Sequence, residues 1–502
     1  MVSCLASVVP SGNHVKDCTL PILQKLRDAL RAEELCYCQW KGHWKRFRWG
    51  QGEGDVDVLV DRADLPRLVG ILSCLGFKQA LPPCWSQIAG LSSYFGYDAE
   101  ANKIVHIHVH CQLILGNPPK TTYRLPIEKP FLESVTPGPL FPIPAPEFEF
   151  IIFVIRAVLG YSARDLERPA QSGADTVAQN ELAYLRARTD RAALHTLLER
   201  HLPFLDCGFF DRCARSLEAP TSAMRRLGLR WLLRRKLQGH AHGPNTFQAM
   251  GTLVLRVFRK IRSLIAGPRS QMRLTGGGAL VALVGGDGAG KSTLVNDLRG
   301  WLSKNFDAQT YHLGKPPRSL LTIAVSLLRR VVTRLSKLAK GDGHPNLTTN
   351  KVPEVFPSYL QQLLWVCIAS DRYRQYVKAR RFAAGGGLAI CDRYPIPEIQ
   401  SMDGPNIGRT LLRTSSRFTR LLQQVEAWFY RHILPPDLLI VLRVDPEIAV
   451  RRKADEDGVY VRARSREIWQ TNRQDTRARV VDAGLPLEAV RAELRSLIWS
   501  EL

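Results

Sequence analysis

A chain of 502 residues is too long for a single hydrophobic core, so its length predicts two or three domains. A hydrophobic fraction of 45% supports folded cores, and a net charge of +24 predicts a surface that attracts nucleotides, nucleic acid or an anionic membrane face. The 11 Cys are an odd number without a CxxC pair, which fits reduced thiols better than a disulfide framework or a zinc site.

The first residues of the chain, MVSCLASVVPSGNHVKDC, lack a basic start and a long apolar core, so we expect no signal peptide. The longest apolar runs lie at 150–155 and 320–325. Both are shorter than the roughly 20 residues that a membrane-spanning helix needs. These features predict a cytoplasmic protein.

A short strand with two aspartates lies within the first 140 residues. In GDVDVLV, strand alternation puts Asp55 and Asp57 on one face and valines on the other, with the carboxylates about 7 Å apart. Two carboxylates at that spacing can share one or two Mg²⁺ ions, as in two-metal phosphoryl chemistry. A turn at Lys41-Gly42 precedes this strand, and the amphipathic helix LPRLVGILSCLGF follows it.

This order of a glycine-containing turn, Asp-x-Asp and a helix ending in Gly-Phe resembles the uncharacterised nucleotidyltransferase-fold family, which implies an α+β domain over residues 1–140. That family has a later strand with Asp followed two residues on by His. Here the strand is IVHIHVH, with His106 in place of the carboxylate and His108 matching the His. The domain is either a working nucleotidyltransferase or a binding or regulatory relic of the fold. The strand face with His106, His108 and His110 is either a transition-metal site or a row of hydrogen-bonded histidines.

The pattern of residues 141–275 predicts a basic helical connector. It follows a proline-rich boundary at 136–148, whose prolines cannot lie inside a helix. Stretches such as MRRLGLRWLLRRKL and LVLRVFRKIRSLI then place apolar residues at three- and four-residue spacing, with Arg and Lys between them. Such helices predict contact with nucleic acid or a membrane. Three glycines in QMRLTGGGA, at 271–279, indicate a hinge.

The strand ALVALV, the loop LVGGDGAGKST at 283–293 and the helix that follows form a phosphate-binding loop. Gly285, Gly290, Lys291 and Ser292 complete G-x-x-x-x-G-K-[ST]. The glycines let backbone N–H groups wrap a β-phosphate, Lys291 reaches the β and γ oxygens, and the Ser292 hydroxyl ligates Mg²⁺. The residues predicted to contact ATP are Gly285, Gly286, Asp287, Gly288, Ala289, Gly290, Lys291, Ser292 and Thr293.

Asp287 limits the reactions that this loop could support. A carboxylate inside a phosphate loop repels phosphate unless it faces a metal or an acceptor hydroxyl. The loop resembles that of thymidylate kinases, which carry an acidic residue followed by Gly at this place. Three later stretches, at 363–395, 435–453 and 478–499, resemble the same family in order and spacing. The resemblance implies an α/β domain over 276–502, with a parallel sheet flanked by helices. It also implies transfer of the γ-phosphate of MgATP to a nucleotide, with thymidylate as the default acceptor.

Two residues at the end of the strand LAIC complete the predicted site. Ligands collect at the carboxyl ends of parallel strands, so we expect Asp392 and Arg393 to emerge beside the phosphates. Asp392 can hold Mg²⁺ directly or through water, and the Arg393 guanidinium suits an acceptor's phosphate. The resemblance adds Arg372 as a contact to the acceptor's base or phosphate.

An arginine-rich segment after the strand LLIVLRV predicts a mobile lid. Asp445 and Pro446 suit the N-cap and the first position of a helix, and basic residues follow in that helix and after the turn ADEDGVY. Phosphoryl transfer is catalysed mostly by positioning and by positive charge on the transferring group. We assign Arg451 and Arg462 to this role.

The acceptor pocket departs from the thymidylate kinase pattern. Where that family has Arg-Glu-Pro-Gly, this chain reads TYHLGKPPRSLL, with Lys315 and two prolines and no acidic residue. PIPEIQSMDGPNIG follows Asp-Arg-Tyr, and a basic helical insertion occupies 318–356. Another nucleoside, nucleotide or phosphorylated metabolite therefore competes with thymidylate as the acceptor. The alternative from another class is a non-catalytic NTP-binding switch that acts on nucleic acid or membrane, and a homodimer is a further expectation.

Overall fold

The computed structural model describes residues 19–83, 86–116, 121–161, 173–218, 222–242, 271–339, 358–395, 404–408, 416–453, 458–470 and 478–502. The chain divides into two compact units, residues 1–270 and 271–502. None of the helices in these ranges is long and apolar enough to cross a membrane.

A mixed sheet forms the centre of the first unit. The strands of this unit are β1 (Tyr37–Lys41), β2 (Asp55–Val60), β3 (Lys78–Leu81), β4 (Leu91–Asp98), β5 (Lys103–His110), β6 (Leu113–Leu115), β7 (Thr122–Leu125) and β8 (Ala241–His242). The sheet runs β1-β2-β5-β4-β3 in space, with β2 and β5 parallel and the other neighbours antiparallel. β6, β7 and β8 form a smaller antiparallel sheet.

Helices cover both faces of the larger sheet. They are α1 (Pro21–Ala32), α2 (Arg46–Trp49), α3 (Leu65–Cys74), α4 (Glu128–Glu133), α5 (Pro146–Gly160), α6 (Gly173–Arg186), α7 (Arg191–His201), α8 (Cys207–Glu218) and α9 (Ala223–Lys236). Strand alternation sends Val56 and Val58 of β2 into a core with α1 and α3. Leu59 of β2 and Trp40 of β1 belong to a second core, built largely from α4 to α9. The polar side chains of β2 therefore lie at the edge of the second core.

The segment that the sequence predicts as a connector shares this second core with the strands before it. α5 is buried along most of its length and packs in the same cluster as Trp40 and Leu59. Residues 141–270 thus lie in one compact unit with residues 1–140. Separate domains at 1–140, 141–275 and 276–502 stay a prediction. The basic stretch LVLRVFRKIRSLI lies outside the described residues, and β9 (Arg273–Leu274) lies in the segment expected to act as a hinge.

A parallel sheet flanked by helices forms the second unit, as the sequence predicts. Its strands are β10 (Ala279–Gly285), β11 (Ala308–His312), β12 (Leu388–Asp392), β13 (Leu438–Arg443) and β14 (Arg479–Asp482), in the order β11-β12-β10-β13-β14. Its helices are α10 (Lys291–Leu302), α11 (Leu320–Ala339), α12 (Tyr359–Ala384), α13 (Arg417–Arg431), α14 (Pro446–Arg452), α15 (Gly458–Gln470) and α16 (Leu487–Glu501). β10 is buried at every residue, as expected of a central parallel strand. Leu283 of β10 pairs with Asp392 of β12, so both strands end at the same edge of the sheet.

Candidate functional sites

The phosphate loop joins the end of β10 to the start of α10. Gly288 has a φ of +84°, and a Cβ added there would lie 2.7 Å from the carbonyl oxygen of Ala449 on α14. A Cβ added at Gly286 would lie 2.8 Å from Oγ of Ser465 on α15. Both positions therefore require glycine, one for its backbone conformation and both for close packing. The loop is thus held against the two helices that the sequence assigns to the lid.

Lys291 curls back over the loop. Its side chain is buried, and Nζ donates hydrogen bonds to the carbonyl oxygens of Gly285 at 2.8 Å and Gly286 at 2.6 Å. Ser292 and Thr293 follow in the first turn of α10 and are exposed. A buried ammonium at a helix N-terminus creates the positive potential that an anionic phosphate requires.

The acid of the loop pairs with the arginine predicted to bind the acceptor. Nη2 of Arg393 lies 3.3 Å from Oδ1 of Asp287, and both side chains are largely buried. Arg393 has a φ of +63°, in the left-handed region that side-chain-bearing residues rarely adopt, and its backbone N–H donates to the carbonyl of Leu283. Strained conformations of this kind cluster at functional sites. The fold therefore brings together two predicted residues that lie 106 positions apart.

Asp392 ends β12 beside the strand that leads into the phosphate loop. Its Oδ1 is buried and finds no hydrogen-bond donor among the described residues. Its Oδ2 lies 3.7 Å from Nε2 of His312, which ends the neighbouring strand β11. An unpaired buried carboxylate oxygen is costly unless a ligand completes its coordination. His312 was not among the predicted site residues. Its position at the end of a predicted strand is a signal for it, but its place beside Asp392 depends on the register of β11 against β12.

Arg372 is buried on α12 and binds the loop that follows β11. Nε donates to the carbonyl of Leu313 at 2.7 Å and Nη2 donates to that of Gly314 at 3.1 Å, while Nη1 bonds the Tyr430 hydroxyl. The neighbouring Asp371 accepts from the backbone of Ser319 and from the hydroxyl of Thr322, at 3.0 and 2.6 Å. Both residues therefore shape the segment in which this chain departs from thymidylate kinases. The acceptor contact assigned to Arg372 stays a prediction.

The two arginines assigned to the lid lie on different helices. Arg451 is exposed on α14. Arg462 on α15 forms a two-point ion pair with Glu447, at 2.8 and 2.9 Å, and the hydrogen bond from Arg462 lowers the pKa of Glu447. Ser465, one helical turn beyond Arg462, is buried against the phosphate loop, and its hydroxyl has no partner in the described part of the chain. The catalytic roles of Arg451 and Arg462 stay predictions, and Ser465 was missed.

The first unit contains a second cluster of chemically reactive side chains. Parallel pairing sets Asp55 opposite His106 and Asp57 opposite His108. Nδ1 of His106 lies 2.7 Å from Oδ1 of Asp55. Nδ1 of His108 and Nε2 of His110 both lie 3.3 Å from Oδ1 of Asp57. The predicted aspartate pair and the histidine row therefore occupy one face of the sheet and contact each other.

Burial and hydrogen bonding set the charges in this cluster. Burial raises the pKa of Asp57, but hydrogen bonds from His108 and His110 and the Lys41 ammonium at 3.0 Å outweigh it, and the net shift is downward. Burial lowers the pKa of His110 and of His106, against the opposing effect of the aspartates. The carboxylates are therefore ionised and these two imidazoles neutral near pH 7.

A pocket of about 250 Å³ adjoins the two aspartates. Its lining residues are Lys41, Gly42, Lys45, Arg48, Trp49, Glu53, Gly54, Asp55, Asp57, Arg156 and Glu181. His43 anchors the predicted Lys41-Gly42 turn, because its buried ring contacts Glu149 of α5 and the Tyr184 hydroxyl of α6, each at 3.1 Å. Arg156 and Glu181 reach this pocket from the segment interpreted as a connector, and no sequence motif marked them as site residues.

Two overlapping groups in this cluster could hold a metal ion. Asp55, His106 and His108 form one group, and Asp57, His108 and His110 form the other, with the candidate ligand atoms of each group within 4.8 Å of one another. The three histidines are also hydrogen-bonded to the aspartates, as one of the two interpretations of the histidine row expects. A transition-metal site on this row and Mg²⁺ at Asp55 and Asp57 stay predictions.

Comparison with known proteins points to nucleotide-binding relatives. No protein-family model matches this chain. The chain is 27% identical over 230 residues to YghR, an uncharacterised ATP-binding protein of Escherichia coli strain K12, and the alignment covers 44% of this chain and 86% of YghR. It is 26% identical over 180 residues to YghS, an uncharacterised ATP-binding protein of the same strain, over 35% of this chain and 73% of YghS.

Proposed function

We propose that residues 271–502 bind MgATP and transfer its γ-phosphate to a small acceptor. One observation carries this proposal: Lys291, Asp392 and the Asp287–Arg393 pair meet at the carboxyl edge of β10 and β12. The similarity to relatives named as ATP-binding proteins supports ATP as the nucleotide. The phosphate loop alone suits many reactions, so the arginine beside its acid is what favours transfer to an acceptor.

Lys291 and the helix N-terminus bind the nucleotide. The Lys291 ammonium exchanges its two carbonyl partners for phosphate oxygens, because phosphate oxygens carry net negative charge and carbonyl oxygens do not. The loop amides and the start of α10 add further donors. These groups carry positive charge where negative charge accumulates during transfer.

Ser292 and Asp392 would hold Mg²⁺. The buried Oδ1 of Asp392, which lacks a donor among the described residues, fits such a ligand, and Ser292 stands at the first turn of α10. When bound, Mg²⁺ neutralises the phosphate charge on the transferring group. His312 lies 3.7 Å from Asp392, beyond hydrogen-bond distance, at the same edge of the sheet.

Asp287 and Arg393 receive the acceptor. An acceptor hydroxyl donates a hydrogen bond to the Asp287 carboxylate, and the Arg393 guanidinium pairs with the acceptor's phosphate. Thymidylate is the default acceptor through the family resemblance, and another nucleoside, nucleotide or phosphorylated metabolite is the alternative. Arg372 already binds the Leu313 and Gly314 carbonyls, so thymidylate rests on the resemblance rather than on this residue.

A screen with ATP labelled in its γ-phosphate tests this function. The full-length chain is incubated with nucleosides, nucleotides including thymidylate, and sugar phosphates, and labelled products are separated from ATP. We expect one class of acceptor to be labelled, and we expect Lys291→Ala to remove that label. Slow ATP hydrolysis without any labelled acceptor would instead favour an NTP-binding switch.

A further inference from the structure

The first unit contains a cluster that the proposed phosphotransfer does not use. Asp55, His106 and His108 offer three ligand atoms within 4.8 Å of one another, at the edge of the pocket described above. We propose that these three residues bind one divalent transition-metal ion, and that the metal-loaded pocket takes a phosphate-bearing anion. This site is separate in sequence and in unit from the phosphate loop.

The donor set selects the class of metal. Two of the three ligands, His106 and His108, are imidazoles, and Asp55 supplies one carboxylate. Imidazole suits Zn²⁺, Co²⁺ and other first-row transition ions, whereas Mg²⁺ prefers a shell of oxygen atoms. A cluster with only one carboxylate therefore disfavours Mg²⁺. The His at position 106, where the resembled family has a carboxylate, is the residue that changes this preference.

Charge and exposure select Asp55 over Asp57 as the carboxylate ligand. Oδ1 of Asp57 already lies within 3.3 Å of two histidine nitrogens and 3.0 Å from the Lys41 ammonium, and a metal beside Lys41 would be repelled. The Asp55 side chain is 47% exposed, contacts His106 at 2.7 Å, and lines the pocket. An ion at Asp55 therefore keeps open coordination positions for a ligand that enters from the pocket.

A stacked aromatic ring fixes the orientation of one candidate ligand. Phe95 stacks on the His106 ring, with the two ring centroids 4.1 Å apart and the ring planes nearly parallel. His106 is therefore held beside Asp55, its partner at 2.7 Å.

The charge of the pocket selects an anionic ligand once the metal is bound. The pocket has four cationic and four acidic side chains, so its formal charge is zero. The cations are Lys41, Lys45, Arg48 and Arg156, and the acids are Glu53, Asp55, Asp57 and Glu181. One divalent ion would leave a net charge of +2 in a space of about 250 Å³, which suits phosphate or pyrophosphate groups.

Cobalt binding to the full-length chain tests the metal site. Co²⁺ is titrated without nucleotide and followed by its visible absorption and by calorimetry. We expect one ion per chain, little competition from Mg²⁺, and at least about tenfold weaker binding in both His108→Ala and Asp55→Asn. His195→Ala, which alters a His–Asp pair outside the cluster, is the matched control and keeps the affinity.

Three results would overturn the metal proposal: no Co²⁺ binding by the folded chain, equal affinity for Mg²⁺, or a loss in Asp57→Asn that Asp55→Asn does not show. Circular dichroism of each variant separates loss of the site from loss of the fold.

Pyrophosphate binding tests the second half of the proposal. The Lys291→Ala background weakens pyrophosphate binding by the phosphate loop. Calorimetry with and without Co²⁺ then measures the affinity of the pocket for pyrophosphate. We expect at least about tenfold tighter binding with Co²⁺ and a loss in Arg48→Ala, while the exposed Arg62→Ala is neutral. A pyrophosphate affinity that changes neither with Co²⁺ nor in Arg48→Ala would contradict the anion site. Because no step uses ATP, failure here is distinguishable from failure of the proposed phosphotransfer.

Discussion

The two units arrange charge around their candidate sites in opposite ways. In the second unit, one contiguous loop brings Lys291 to a helix N-terminus, and the acid within that loop, Asp287, is paired with Arg393. In the first unit, the sheet face presents Asp55 and Asp57, and cations line the pocket beside it. On our proposals, the loop of the second unit binds an anion directly, whereas the pocket of the first unit binds one only after a metal ion. The contrast predicts that a substitution in either unit changes ligand binding by that unit only. The ligand of the other unit should bind as before.

The largest expected effect is that of Lys291→Ala. On the proposed function, removing the buried ammonium eliminates the side-chain charge that would face the phosphates, so ATP turnover should fall by about a thousandfold or more. Turnover is measured with labelled ATP, and Co²⁺ binding by the first unit should not change. The exposed Lys304→Ala is the matched control. Full turnover in Lys291→Ala would remove the phosphate loop from the mechanism.

Asp392→Asn should have the next largest effect. The amide keeps the size of the side chain but cannot neutralise Mg²⁺, so we expect turnover to fall by about a hundredfold and more Mg²⁺ to be needed for half-maximal rate. A magnesium titration of the rate checks this result. Asp482→Asn, which alters an exposed acid at the end of β14, should behave like the unchanged chain. An unchanged magnesium requirement in Asp392→Asn would argue against its role as a ligand.

Arg393→Gly separates acceptor use from ATP use. Glycine accepts the φ of +63° without strain, so this variant removes the guanidinium and keeps the backbone. We expect kcat/KM for the acceptor to fall by about 10- to 100-fold, with the KM for ATP within about twofold. Steady-state kinetics in both substrates measures the two values. Equal losses for acceptor and ATP would contradict the acceptor role, and the exposed Arg381→Ala is the control.

Asp371→Ala should reduce stability without removing a phosphate contact. The buried carboxylate holds Ser319 and Thr322, and its loss leaves their donors unpaired, so the free energy of unfolding of the second unit should fall by about 1–3 kcal/mol. Denaturant unfolding of the variant measures this change. Arg374→Ala, which removes an exposed partner 3.9 Å from Asp371, should cost less than about 0.5 kcal/mol. If Asp371→Ala lowered the free energy of unfolding no more than Arg374→Ala does, the loop would not depend on Asp371.

The smallest effect concerns Glu447 and its pH dependence. Its hydrogen bond with Arg462 lowers the pKa of Glu447 from 4.5, so the stability it contributes is present above that value and is lost as pH falls through the lower, folded value. The Tm difference between Glu447→Gln and the unchanged chain should be small at pH 7 and should vanish in acid. A difference that grows on acidification would contradict this sign.

The strand–loop–helix unit of the phosphate loop could be predicted from the sequence because its motif lies in consecutive residues. Gly285, Lys291 and Ser292 need only a strand before them and a helix after them, and β10 and α10 provide both. Asp392 could be placed because parallel strands bring their carboxyl ends to one edge. Its neighbour His312 could not be assigned, since the register of β11 against β12 is a tertiary property.

By itself, the sequence determined the parallel α/β class of the second unit, the position of the phosphate loop, and the aspartate pair in the first unit. These features follow from local periodicity and short motifs. Tertiary structure alone decided that His106 and His108 contact Asp55 and Asp57, because their strands pair across about 50 residues of intervening chain. It also decided that Arg156 and Glu181, on helices interpreted as a connector, line the same pocket. Long-range packing of α5 and α6 against the sheet, which no local pattern encodes, brings these charges together.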